Sequence, residues 1–320
     1  MIRRLATIAV LAAIAGGLAF HVLTIPDTLP EAVLAAMPEG DAARGETMFW
    51  AGGCASCHAA DKAEGDDRLK LGGGHVLKSG FGDFVAPNIS PDRNDGIGAW
   101  SRGDFANAML RGVSPAGAHL YPAFPYTSYT RMKPRDVADL WAFLKTLPAV
   151  EGRAPGHRLG FPFTVRRGLG LWKLFYLDPA PVVDLQTDDP KLLHGQYLVE
   201  GPGHCGECHT PRDVAGGPIR AKWLSGAPNP DGEGRVPNIT GGKGGIGDWS
   251  ESDIAYYLES GFTPAFDSVG GSMVEVQENM AKLTAEDRDA IAAYLKAVPA
   301  VDSGQVGRTE SGRRLQSVAG

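Results

Sequence analysis

The sequence predicts an all-α protein: two tandem copies of one small helical domain with long loops, preceded by an N-terminal membrane-spanning or signal helix. Three observations predict it. An uncharged run follows two arginines at the start of the chain. Most of the remainder repeats itself at an offset of about 150 residues. Within each copy, stretches of helical periodicity are separated by turn-rich loops, drawn from 43 glycines and 23 prolines in 320 residues. No segment alternates apolar and polar residues cleanly enough to propose a sheet.

The first element is the uncharged run from Leu5 to Phe20, which continues past His21 to Ile25 behind Arg3 and Arg4. A basic start followed by an apolar stretch is an export signal, and roughly 20 such residues are about enough to cross a bilayer as a helix. The best small-residue cleavage site, Val33-Leu34-Ala35 before Ala36, lies far downstream. Residues 1–26 are therefore read as an uncleaved signal anchor, with a removed signal peptide as the alternative. Basic residues stay cytoplasmic, which puts the rest of the chain on the outer face of the inner membrane. The composition, 43% apolar and 21% charged, is that of a globular chain, and a formal charge of −6 argues against nucleic acid as a partner.

The repeat sets the domains. Cys54 matches Cys205, and Ala86-Pro87-Asn88-Ile89-Ser90 matches Val236-Pro237-Asn238-Ile239-Thr240. Gly96-Ile97-Gly98-Ala99-Trp100-Ser101 matches Gly245-Ile246-Gly247-Asp248-Trp249-Ser250. The helical stretches from Asp136 to Lys145 and from Asp287 to Lys296 also match, and both stop at a proline, Pro148 or Pro299. This gives a first domain over 40–150, a linker over 151–189, a second domain over 190–300 and a polar, mobile tail over 301–320. In each copy a short helix enters the cysteine motif, a second is capped by Ser101 or Ser250 with acidic residues in its first turn, and a third closes the domain. The linker is proline-rich at both ends. Its apolar, basic-flanked middle from Arg166 to Tyr176 reads as a strap packed between the domains, or as a docking surface for a partner or membrane.

All four cysteines lie in two Cys-x-x-Cys-His motifs, Cys54-Ala55-Ser56-Cys57-His58 and Cys205-Gly206-Glu207-Cys208-His209. A zinc site would need four ligands from motifs in separate copies and would leave both histidines unexplained. A redox dithiol would want a βαβ setting. A disulfide across two residues gains little chain entropy. Covalent haem uses every residue: the two thiols add to the porphyrin vinyl groups, and the next residue's imidazole meets the iron. Cys54 and Cys57 then attach one haem with His58 as its ligand, and Cys205, Cys208 and His209 do the same for a second.

With those residues in place, the chain resembles the class I c-type cytochromes. Pro-Asn-Ile at Pro87 and Pro237 is similar to the stretch whose proline carbonyl accepts from the proximal histidine. Trp100 and Trp249 resemble the tryptophan whose indole donates to a haem propionate, with simple core packing as the alternative. The region from about Gly40 to Val301 is similar to the dihaem cytochrome c subunits of membrane-bound periplasmic alcohol, aldehyde and sugar-acid dehydrogenases, on the strength of Tyr121 to Tyr129 and Gly201 to Arg212. The resemblance implies two tandem cytochrome c-like domains and two covalently attached haem c groups. It also implies an electron carrier without catalytic residues of its own. A periplasmic dehydrogenase subunit would be the donor, and a soluble cytochrome, quinone or oxidase of the respiratory chain the acceptor.

A relay haem wants a sixth ligand, and a methionine thioether raises the potential relative to a second histidine. Met273, after Gly270-Gly271-Ser272, is the choice in the second copy, with Met280 as rival. Met132, just before the last helix, is the choice in the first, with Met109 as rival. The offset sets Met132 against Leu283 and Met273 against Pro122, so these ligands are not equivalent. Related subunits carry methionine where this chain has Phe124. His75, His119, His157, His194 and His204 do not repeat between copies and read as surface or core residues. The rival function is a dihaem redox enzyme, a peroxidase or a thiosulfate-oxidising cytochrome. The first needs an open iron with nearby acid–base groups; the second would use a cysteine ligand, and none is spare.

Overall fold

The computed structural model describes residues 1–229, 232 and 234–303. Most of the tail, 304–320, lies outside the described residues. In chain order the helices are α1 (Ile2–Leu23), α2 (Glu31–Ala35), α3 (Ala42–Ala51), α4 (Cys54–His58), α5 (Arg102–Arg111), α6 (Tyr126–Tyr129) and α7 (Pro134–Leu144). They continue with α8 (Leu169–Tyr176), α9 (Pro190–Glu200), α10 (Gly206–His209), α11 (Glu251–Ser260), α12 (Met273–Met280) and α13 (Ala285–Ala297).

Each half is organised around one helix crossing, α3 on α7 and α9 on α13. A glycine sits at each crossing point. A Cβ on Gly45 would stand 2.0 Å from the Asp139 carbonyl oxygen, and one on Gly195 would stand 1.9 Å from that of Ala290. The backbones approach closely because no side chain separates them. In the first half the buried Asp139 carboxylate then locks the crossing, accepting from the Asp41 amide at 2.6 Å and from Arg44 Nε at 2.7 Å. In the second, Tyr294 donates to the buried Glu200 at 2.6 Å. The capping serines are as expected: Ser101 Oγ accepts from the Asp104 amide and Ser250 Oγ from the Asp253 amide, both at 3.1 Å, each completing a capping box.

The backbone repeats in detail as well. After the left-handed C-caps Gly112 and Gly261, each half forms the same turn. Leu120 donates to Gly112 and Val269 to Gly261, both at 2.7 Å; Ser114 donates to Ala118 at 2.9 Å and Thr263 to Asp267 at 2.8 Å. The isolated bridges Val113–His119 and Phe262–Ser268 correspond too. Continued along the chain without a gap, this register would set Met273 against Phe124 rather than against the expected Pro122. The second half carries two extra residues farther on, before Met280. The expected match of Met132 with Leu283 is met, since their amides donate to Tyr129 and Met280 respectively.

The expectation of no sheet needs correction. Strands β1 (Val76–Ser79) and β2 (Gly82–Val85) form an antiparallel hairpin, with β3 (Arg158–Leu159) on the outer edge of β2, and β4 (Ala227–Pro228) pairs with β5 (Arg235–Val236). These arms of two to four residues are too short to show alternation in sequence. The β1–β2 hairpin forms because a tight turn brings its arms together, with Ser79 Oγ donating across it to the Gly82 carbonyl at 2.8 Å.

The linker's helix α8 lies against both halves. Lys173 Nζ donates to the carbonyls of Arg111 and Gly112 at 2.6 and 2.7 Å, at the C-terminal end of α5. Trp172 donates to the Ala215 carbonyl at 2.9 Å, and Tyr176 to Asp213 at 2.7 Å. The same segment grips the end of α1: Arg167 donates to Thr24 Oγ1 at 2.8 Å and to the His21 carbonyl at 3.0 Å. Thr24 is fully buried, whereas no residue of α1 is.

Candidate haem sites

Each attachment motif forms a short helical turn that puts its two cysteines on one side, with the histidine at the end. His58 Nδ1 and His209 Nδ1 each donate to a proline carbonyl, Pro87 and Pro237, at 2.8 Å. That bond places the proton on Nδ1 and leaves Nε2 with its lone pair for iron. Desolvation pushes His58 down to about 4 and His209 in the same direction. Both imidazoles are therefore neutral at physiological pH, the form that binds metal. Desolvation also pushes the Cys54 and Cys205 thiols up to about 12. Neutral thiols are poor redox nucleophiles. Among the described residues, no group of three or more His, Cys, Asp or Glu side chains is arranged to hold a metal ion.

The proline carbonyls are themselves held in place. Asn88 Nδ2 donates to the Val150 carbonyl at 2.7 Å while its Oδ1 accepts from Ser90 at 2.9 Å. Asn238 does the same with the Val301 carbonyl at 2.7 Å and Thr240 at 2.8 Å. The asparagine of each Pro-Asn-Ile thus ties the loop bearing the proline to the chain beyond the last helix. On the other side, Gly73 and Gly226 have φ of +73° and +84° and donate to the carbonyls of His58 and His209 at 2.8 and 2.7 Å. A Cβ on Gly73 would lie 2.5 Å from the Pro87 carbonyl oxygen, so the site needs glycine there. The two asparagines were not singled out from sequence, although their recurrence beside each proline was visible.

The remaining expected residues occupy varied settings. Trp100 and Trp249 hold equivalent, half-buried places just ahead of their capping serines. Met273 begins α12 and is half-buried. Met132, Met109 and Met280 are each 4% exposed and belong to the apolar core. Phe124 packs against Tyr129 and Tyr126, with ring centroids 5.5 and 6.5 Å away.

The two attachment motifs meet. Glu207, inside the second motif, accepts from the Thr127 and Ser128 hydroxyls of α6 at 2.8 Å and pairs with Arg212. Ser56, inside the first, accepts from Asn279 of α12 at 2.9 Å. Ser56 and Glu207 are equivalent positions of the repeat, and so are Ser128 and Asn279. Each motif therefore docks on the other half's short helix, as in a pseudo-twofold interface. Between them, His204 Nε2 donates to the Gly52 carbonyl at 3.2 Å, and the buried Tyr129 hydroxyl donates to the same oxygen at 3.0 Å. The other spare histidines serve elsewhere: His75 pairs with Asp61, His119 donates to Thr24, His157 accepts from Val85, and His194 pairs with Asp287.

Comparison with known proteins agrees with this geometry. The cytochrome c family model matches residues 42–148. The chain is 54% identical over 265 residues to a diheme cytochrome c-type of Cereibacter sphaeroides, covering 82% of this chain and 88% of that protein. It is 37% identical to the fructose dehydrogenase cytochrome subunit of Gluconobacter japonicus, and 35% identical to the cytochrome c subunit of an alcohol dehydrogenase (quinone) of Gluconobacter oxydans. Each of those alignments covers 82% of this chain but 54% and 55% of the relative, so the chain spans about half the length of these subunits. The chain belongs to the dihaem c-type cytochromes and carries two covalently attached haem c groups.

Proposed function

We propose that this chain is a membrane-anchored electron relay on the periplasmic side, taking electrons from a dehydrogenase and passing them to a respiratory acceptor. The bound haems supply one-electron iron couples. Cys54 and Cys57 with His58, and Cys205 and Cys208 with His209, hold them; Pro87 and Pro237 orient the two histidines; Met273 is the sixth ligand in the second half. Trp100 and Trp249 would donate their indole N–H to the haem propionates. The two halves, over 40–150 and 190–300, are two cytochrome c domains joined by the 151–189 strap. The similarity to fructose and alcohol dehydrogenase cytochrome subunits supports a dehydrogenase as donor. A soluble cytochrome, a quinone or an oxidase is the acceptor.

The observation that carries the relay reading is the meeting of the two attachment segments. From Cys54 the chain runs through Gly53 to the Gly52 carbonyl, across one hydrogen bond to His204, and on to the adjacent Cys205. Electron coupling falls less steeply through covalent and hydrogen bonds than through empty space, so this short bridge favours exchange within the chain. Replacing His204 with Leu removes the bridge while leaving all attachment residues in place. The expected result is a several-fold slower internal electron exchange, measured after rapid partial reduction, with two haems still attached. An unchanged rate would mean that this contact is not the path.

The anchor reading rests on α1, 22 residues with a mean hydropathy of 2.1 in its most apolar window and none of it buried. Its C-terminal end is built into the folded part through Thr24, Arg167 and His119. A chain cleaved downstream of Thr24 would lose those contacts. Phe161, Leu174 and Phe175 of the strap are exposed apolar side chains.

A further inference from the structure

The two halves differ in one respect that their shared backbone makes plain: the second offers a methionine where the first has none. The turn hydrogen bonds after Gly112 and Gly261 align the halves as far as Leu120 and Val269, and continued from there without a gap that register sets Met273 against Phe124, whose ring has no lone pair for iron.

The methionines of the first half lie elsewhere. Between the start of α3 and the end of α7 they are Met48, Met109 and Met132. The paired crossing glycines Gly45 and Gly195 set Met48 against Leu198. The paired caps Ser101 and Ser250 set Met109 against Leu258. The matched amide bonds to Tyr129 and Met280 set Met132 against Leu283. In the second half all three are leucines, 1%, 7% and 5% exposed. Leucine cannot coordinate iron, so in the second half each of these three positions serves packing. Met132 and Leu283 also share their setting: both are buried in the apolar core, two residues ahead of the first residue of the final helix. Volume is conserved between Met and Leu, which is why the core accepts either.

We infer that the first haem has no methionine ligand, and that its face opposite His58 is a binding site for a small neutral diatomic ligand. The inference rests on the proposed ligation of the second haem by Met273. Phe124 and the neighbouring Tyr129 and Tyr126 form an aromatic wall where the second half presents its thioether, and such a wall suits an uncharged ligand better than an anion. The first half would then combine electron transfer with reversible capture of a gas molecule, while the second would remain a closed relay centre.

The test is a carbon monoxide titration of the dithionite-reduced, full-length holoprotein, with the near-infrared methionine–iron band measured on the oxidised form. One carbon monoxide per chain carrying two haems is expected, together with a single methionine–iron band. Met273→Ala should abolish that band, and Met132→Leu should leave both the band and the stoichiometry unchanged. Phe124→Met should add a second band and abolish carbon monoxide binding. No carbon monoxide bound by a chain with two attached haems would overturn the inference, as would loss of a band in Met132→Leu. Fewer than two haems per chain would instead overturn the reading on which it rests.

Discussion

Replacing Cys205 and Cys208 together with Ala is expected to lower the covalently attached haem from two per chain to one, read by intact mass and by the alkaline pyridine spectrum. Both thiols of a motif are needed for two thioethers, and no cysteine outside the two motifs can substitute. Coordination through His209 alone would leave a haem that acidified acetone extracts. The effect extends beyond the cofactor, because a structural metal centre contributes folding free energy directly. The second half should lose protection from proteolysis while the first keeps its haem. The converse pair, Cys54→Ala with Cys57→Ala, should reverse the pattern. Two haems attached to either double variant would refute the assignment of the motifs.

The second large effect concerns the helix crossings rather than the haems. Gly195→Ala would gain about 1 kcal/mol of helix propensity but would place a Cβ 1.9 Å from the Ala290 carbonyl oxygen and 2.9 Å from Tyr294 Cβ. Neither neighbour is the flexible end of a side chain, so the helices must separate. Overpacking of this kind costs about 1–3 kcal/mol, at times more, and here the clash with backbone puts it at the upper end. The net loss of about 2 kcal/mol should lower the thermal midpoint by roughly 5 °C. Gly103→Ala in α5 is the control: its added Cβ would find Leu34 at an ordinary 3.6 Å, so no clash offsets the propensity gain and stability should hold or rise by up to about 1 kcal/mol. Equal effects for the two variants would mean that Gly195 is not at a tight crossing.

Much of the site was legible because its chemistry is local. Cys-x-x-Cys-His occupies one helical turn, the capping serines act on amides three residues away, and Pro87 and Pro237 announce themselves by recurring at one place in each copy. What escaped depends on contacts between distant segments. His204 was set aside because it does not repeat, yet a residue bridging two copies has no need to appear in both. Glu207 and Ser56 sit at variable positions inside their motifs, and their partners, Thr127, Ser128 and Asn279, become visible once the two halves are docked. The hairpin of β1 and β2 escaped for a different reason: four residues per arm are too few for alternation to stand out. The pairing of the two ligand loops stayed open because the two-residue difference in length falls inside the loop, where neither flanking motif locates it.

These readings converge on a chain whose two haems exchange electrons internally. The most direct measurement is a rapid sub-stoichiometric reduction of the full-length holoprotein, followed at wavelengths that separate the two haems. The expected result is a redistribution phase whose rate does not depend on protein concentration. A redistribution rate that rises in proportion to protein concentration would show that electrons pass between molecules instead, and would contradict the relay.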